Sequence, residues 1–226
     1  MGLHPVWIVG NGVAVQATLI TMSYLLYLRV LARGWRWPWA STAVIAVTAL
    51  VTGLSFAYPD LLAVLRRDAD GLLAGQVWRV VTPLFVQPYG VVQVVLNGAL
   101  MLMLVPVAER LYGGRGLLVV YFGAGLIGQL ASAWWDPTGG GSSAGIFGVV
   151  GALLTYVVRH GVGWPASAVS PPAIEKPFVV IAGLGLLAGP LLAFFRDGHG
   201  PCIIAGALLS LLFLRPRPAG DTDEPA

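Results

Sequence analysis

Two serines, one histidine and a pair of amides hold most of the chemistry this sequence offers. Ser142 and Ser143 lie in "GGGSSAGIFGVVGA", residues 139–152, where a glycine run enters an apolar stretch. Gln93 and Asn97 are four residues apart, which puts them on one face of a helix. His199 stands in "DGHGPC". A serine becomes a nucleophile only beside a base, and imidazole suits that task near neutral pH. Of the three histidines, His4 is on a free end and His160 follows Arg159 in a solvated loop. Only His199 is expected at the depth of the serines. Asp197 is two residues before it, either as a third member or, as expected here, facing headgroups or capping a helix. Each residue also has a purely structural reading. Serines before a helix are usually N-caps. Gly145, Gly148 and Gly151 would then serve close helix packing, with Gln93 and Asn97 as interhelical hydrogen-bond partners.

The elements that must position these groups are membrane spans. The chain has 226 residues, 57% hydrophobic and 10% charged, with a mean hydropathy of +0.81. Soluble domains carry about 25% charged residues, so the composition describes an all-α polytopic membrane protein. Seven apolar runs fall near 7–31, 40–58, 90–108, 116–134, 143–158, 178–195 and 199–214. The fifth and seventh are short, which calls for a thinned bilayer or a start below its surface. Lys and Arg set the orientation. With the N-terminus outside, the inner loops hold Arg29, Arg33, Arg36, Arg110, Arg115, Arg159, Lys176, Arg215 and Arg217; the outer segments hold Arg66, Arg67, Arg79 and Arg196. Nine against four gives N-out, C-in. The polar groups Gln93, Asn97, Ser142, Ser143, Asp197 and His199 then all fall toward the outer face. Only Lys and Arg went into that choice.

The rest of the chain excludes other classes. No run of like charge suggests nucleic acid; Arg66-Arg67 is offset by Asp68 and Asp70. A single cysteine, Cys202, rules out an internal disulfide and a cysteine-based metal cluster. No cofactor or metal is called for. The first residues lack the charge that precedes a cleaved signal peptide, and Val6 breaks the myristoylation pattern. The link 59–89 is expected outside, lying in the interface, with Trp78 and Tyr89 at headgroup level. The Trp78-Arg79 pair is too generic to carry weight alone. The tail 215–226 is expected to be disordered.

The pattern resembles the rhomboid family of intramembrane serine proteases, over residues 39 to 214. "GSSAGIFGVVGA" resembles the family's Gly-x-Ser helix start, with Phe-Gly four and five residues after the nucleophile. Counting back from Phe147-Gly148 selects Ser143 over Ser142. "HGPCIIAG" resembles the His helix, with Gly206 seven residues after the base. "VWRVVTPLFV" resembles the Trp-Arg pattern of the first loop. "QVVLN" followed by "ERLYGGRGLLVVYF" resembles the second helix and the start of the third.

The resemblance implies a rhomboid-like six-helix bundle in residues 39–214, with an extra N-terminal transmembrane helix in 1–38. It implies a Ser143–His199 dyad and an oxyanion held by the Ser143 N–H, Asn97 and the position of Gln93. Phe147 would pack on the imidazole. Gly206 and Gly151 would let the two catalytic helices meet, and Gly141 would serve a tight turn. The implied substrates are transmembrane segments cut near the outer face; a bacterial plasma membrane is expected from the lack of an organelle signal and the high Ala, Gly, Arg and Pro content. The chain departs from the family at Gln93, where His is common, at Cys202, where Gly is usual, and at Ala144-Gly145, which is more often reversed. Two rivals follow: a catalytically inactive rhomboid-like protein that binds transmembrane helices, and a small transporter or channel. The oligomeric state is left open.

Overall fold

The structure, a computed structural model, describes residues 19–20, 23, 38–161 and 172–216. The first expected span, 7–31, falls almost wholly outside them, as does most of the tail. The described chain is mostly helical. α1 is Trp39–Ala57, and α2 (Pro59–Leu65) and α3 (Ala69–Leu73) are short. α4 is Val91–Ser132, α5 Ser143–His160, α6 Pro172–Phe194 and α7 His199–Phe213. Among the described residues α1, α4, α5 and α6 are long and apolar enough to cross a membrane, and α7 is a shorter apolar helix.

α4 is a pair of helices that meet at a kink. Its 42 residues are broken at Gly113, whose φ of 75° and ψ of 167° are not helical. Glycine adopts that conformation without a Cβ penalty. The break lies beside the start of α1. There the Glu109 carboxylate accepts the Ala40 N–H (3.0 Å), the Ser41 N–H (2.6 Å) and the Ser41 hydroxyl (2.7 Å). These amides belong to the first turn of α1, which has no intrahelical acceptor for them. Glu109 is 1% exposed, so removing it strands buried donors. Glu109→Ala is expected to cost about 3 kcal/mol and to lower the Tm in detergent. An unchanged Tm would remove this anchor from the account.

α5 is the central helix. Every residue from Ala144 to Val157 is buried, as expected of a helix that is apolar all round. It packs mainly against α4 and α7, with α6 outside them. The α5–α7 contact is glycine to backbone: a Cβ at Gly206 would collide with the Gly148 carbonyl, and one at Gly151 with the Ile203 carbonyl. Small residues let helix backbones approach this closely in membranes.

Two departures from the family pattern find their partners on α4. A Cβ on Gly128 would run into Cys202 Sγ, so the thiol fills the space over that glycine. The Tyr121 ring lies against Gly145, 2.6 Å from where a Cβ would stand, which accounts for the order Ala144-Gly145.

The link from α1 to α4 is built rather than loose. Arg79 is buried and donates to the carbonyls of Ala63 (2.9 Å) and Arg66 (2.8 Å) and to the Gln76 side chain. Trp78 Nε1 donates to Val64 O at 3.2 Å. The Trp78-Arg79 pair, set aside as generic in the sequence, therefore holds the link together. Its strand β1 (Arg67–Asp68) pairs antiparallel with β2 (Thr138–Gly139), so the otherwise helical fold includes one two-residue ladder. Arg67 fixes it by donating Nε to Asp136 O and by pairing with the Asp136 carboxylate at 2.8 Å. The ladder fastens the link to the glycine run before Ser143.

Candidate active site

The glycine run sets the approach to α5. Gly140 and Gly141 both have φ of 145°, a region L side chains rarely adopt. The Gly141 N–H donates to Pro83 O at 2.8 Å. A Cβ on Gly141 would strike the Gln93 amide and approach Ser143 Oγ to 3.2 Å. The turn thus brings bare backbone over both groups.

The two serines then part company. Neither caps α5 through its side chain. Ser142 is 0% exposed, and its Oγ accepts a 2.7 Å hydrogen bond from Gln87 Nε2. Ser143 opens α5 and faces a cavity of about 370 Å³. Gln93, Asn97, Phe147 and His199 line the same cavity. The turn and loop bonds of this segment include Ala144 N–H to Gly141 O and Ile146 N–H to Ser142 O, but none from the Ser143 N–H. That donor stands at a helix N-terminus, where anionic groups are favoured.

His199 is the first residue of α7. Its ring lies 4.3 Å from the Phe147 ring, centroid to centroid, at 33°. Phe147 is one turn below Ser143 on α5, so the imidazole packs on the helix that Ser143 opens. His199 Nδ1 and its backbone N–H both donate to Asp197 Oδ1 at 2.8 Å. No hydrogen bond joins Ser143 to His199 among the described residues. Catalytic hydrogen bonds often close only when substrate is bound.

The amides form a second tier. Asn97 Nδ2 donates to Gln87 Oε1 at 2.7 Å, so Gln87 bridges Asn97 and Ser142. Gln93 Nε2 donates to Gly140 O at 3.2 Å, and Gln93 Oε1 accepts from the Tyr89 N–H at 3.0 Å. Each amide nitrogen keeps a second hydrogen for the cavity. Gln87 was missed in the sequence. The signal available was a lone amide between apolar Phe85-Val86 and the Pro88-Tyr89-Gly90 turn. Asp197, offered in the sequence as a third member or as a residue facing headgroups or capping, accepts the His199 N–H at the start of α7 and also meets His199 Nδ1.

Apolar helices around a cavity, with Ser143 and His199 at the starts of two helices packed through glycines, describe an integral membrane protein. The rhomboid domain model matches residues 74–216, more than half of the chain, and the chain belongs to the rhomboid family. It is similar to "Putative rhomboid protease YdcA" of Bacillus subtilis (strain 168), 31% identical over 125 residues, 52% of this chain and 62% of that protein. It is similar to rhomboid protease GluP of the same organism, 30% identical over 111 residues, 49% of this chain and 22% of the relative. Rhomboid-like protease 3 of Toxoplasma gondii is 38% identical over 85 residues, 36% of this chain and 32% of the relative. The chain spans less than two thirds of the length of each of these relatives.

Proposed function

We propose that this chain is an intramembrane serine protease with Ser143 as nucleophile and His199 as base. The observation that supports it best is the shared cavity: Ser143 and His199 open onto it from two helices, and Phe147 sets the imidazole between them. Ser143 Oγ attacks the scissile carbonyl while its proton passes to His199 Nε2. The carbonyl π electrons move to oxygen, where the Ser143 N–H and the amides of Asn97 and Gln93 stabilise the charge. The tetrahedral intermediate collapses, the C–N bond breaks, and His199 returns the proton to the leaving amine. Water then hydrolyses the acyl-serine with His199 as base.

The substrate is a transmembrane segment with a local helix break that exposes its backbone to Ser143. The site lies toward the outer face of a bacterial plasma membrane, N-terminus outside and C-terminus inside, within a membrane domain of residues 39–214 preceded by one further helix. The inactive-binder reading drew on Gln93 and Cys202. Cys202 packs over Gly128 rather than between α5 and α7, and Gln93 still presents a donor.

Labelling by a serine-directed fluorophosphonate, beside cleavage of a generic transmembrane substrate, tests the reading. Wild type is expected to label and cleave. His199→Ala is expected to label at least about 100-fold more slowly, the usual scale of a positioned base. A wild-type protein that neither labels nor cleaves would leave the inactive-binder reading standing.

A further inference from the structure

The segment between α6 and α7 is more tightly specified than a connection needs to be. α6 ends with Arg196 in the left-handed region, φ 59°, the one non-glycine residue with positive φ among those described. The Arg196 N–H bonds to Ala193 O at 3.0 Å and the Asp197 N–H to Leu192 O at 2.9 Å. This pair of bonds closes a helix in the Schellman manner, with a residue other than the usual glycine at the left-handed position. A non-glycine residue there costs of order 1 kcal/mol and persists where surrounding contacts over-determine it.

Those contacts are present. Gly198 rests on α4, where a Cβ would stand 2.5 Å from Ser132 Oγ. Cys202 Sγ donates to Gly198 O at 3.2 Å. The strained closure turns Asp197 back toward the next helix, where its Oδ1 receives both the His199 N–H and His199 Nδ1. Cys202, one of the departures from the family pattern, and Asp197 therefore act on one turn.

We propose that Asp197 is the positioning residue of a Ser-His-Asp triad, its carboxylate fixing the His199 tautomer and ring so that Nε2 faces Ser143. The proposal rests on the reading of Ser143 and His199 as nucleophile and base. A proton held on Nδ1 leaves Nε2 unprotonated and able to take the serine proton. When the imidazolium forms, its charge meets a carboxylate already in place, and Asp197 itself takes up no proton. Burial by itself would push the Asp197 carboxyl up; the hydrogen bonds and charge of His199 outweigh it and hold the group below its ordinary value. Besides His199, the titratable groups lining the cavity are Tyr89, Arg196, and Arg67 with Asp136, which pair with each other at 2.8 Å; Asp197 lies behind the imidazole, off the lining. Among the described residues Asp197 alone is in ion-pair contact with the imidazole.

A carboxylate that merely caps α7 would share this geometry, so the test must separate the two roles. The rate of fluorophosphonate labelling is measured for wild type, Asp197→Asn, Asp197→Ser and Asp197→Glu in detergent, with Tm recorded for each. Serine keeps an acceptor for the helix start but carries no charge. Asn and Ser are expected to label about 10- to 100-fold more slowly. Glu is expected to recover part of the rate. Nitrogen-15 spectra of the imidazoles, assigned with His199→Gln, are expected to show the Nδ1–H tautomer in wild type and a mixture in Asp197→Ser.

If wild type labels and Asn and Ser match its rate, Asp197 is only a cap and the proposal fails while the protease reading stands. If Glu falls as far as Asn at wild-type Tm, the charge is not the cause and the proposal fails. If wild type does not label, the protease reading and the triad fall together. A variant that does not fold leaves the wild-type tautomer to decide: an Nε2–H imidazole in wild type overturns the proposal.

Discussion

Ser143→Ala is expected to abolish fluorophosphonate labelling and to lower substrate cleavage by roughly 10,000-fold or more, the scale on which serine hydrolases lose activity with their nucleophile. Ser142→Ala is expected to keep labelling and to lose stability instead. The two hydroxyls are adjacent in sequence, yet one faces the cavity and the other is fully buried against Gln87. Alanine at 142 leaves the Gln87 amide without its acceptor, at a cost of about 1–3 kcal/mol. Gln87 also accepts from Asn97, so a loosened Gln87 shifts a proposed oxyanion donor. A fall of a few fold in turnover is the expected secondary effect, because a donor misplaced by a fraction of an ångström stabilises the oxyanion less. Intact-protein mass spectrometry after labelling reads the first effect and thermal unfolding in detergent the second. If Ser142→Ala loses labelling and Ser143→Ala keeps it, the nucleophile is one residue earlier and the count from Phe147-Gly148 is wrong.

That contrast shows what a sequence of this kind can convey. Spans are legible because hydrocarbon demands long apolar runs with few charges; α1, α5, α6 and α7 begin and end within a few residues of their expected bounds, with α6 starting earlier. The runs at 90–108 and 116–134 were read as two, and the structure has two helices there that meet at a kink at Gly113. Depth placed Gln93, Asn97, Ser142, Ser143, Asp197 and His199 toward one face, and the family resemblance then chose Ser143 over Ser142. Gln87 and the Gly128–Cys202 contact were not legible. Gln87 reaches Ser142 across 55 positions of chain, and Gly128 meets Cys202 across a helix interface. Such pairs depend on helix rotation and crossing, which hydropathy does not encode. Asp197 is only two residues from His199, but its role depends on the left-handed backbone at Arg196, which no residue type signals.

The helix contact beneath the site carries the second large effect. Gly206→Ala is expected to lower the Tm strongly and to reduce labelling with it, whereas Gly53→Ala is expected to be neutral or slightly stabilising. Both changes add one methyl group to a glycine in a helix, where alanine is intrinsically favoured by about 1 kcal/mol. The surroundings decide the sign. Nothing lies within 4 Å of a Cβ at Gly53, so the propensity gain is kept. At Gly206 the Cβ would overlap the carbonyl of Gly148, a backbone atom with no rotamer to change. α7 must then withdraw from α5, and overpacking of this kind costs about 1–3 kcal/mol or more. The loss reaches the chemistry because Ser143 and His199 open the two helices that separate. Withdrawal of α7 also carries His199 off Phe147, whose ring it meets at 4.3 Å. Activity should therefore fall even at temperatures where Gly206→Ala remains folded, and restoring Tm with ligand or lipid should not restore it. A Gly206→Ala protein with wild-type Tm and labelling would mean that α5 and α7 do not meet at Gly148 and Gly206.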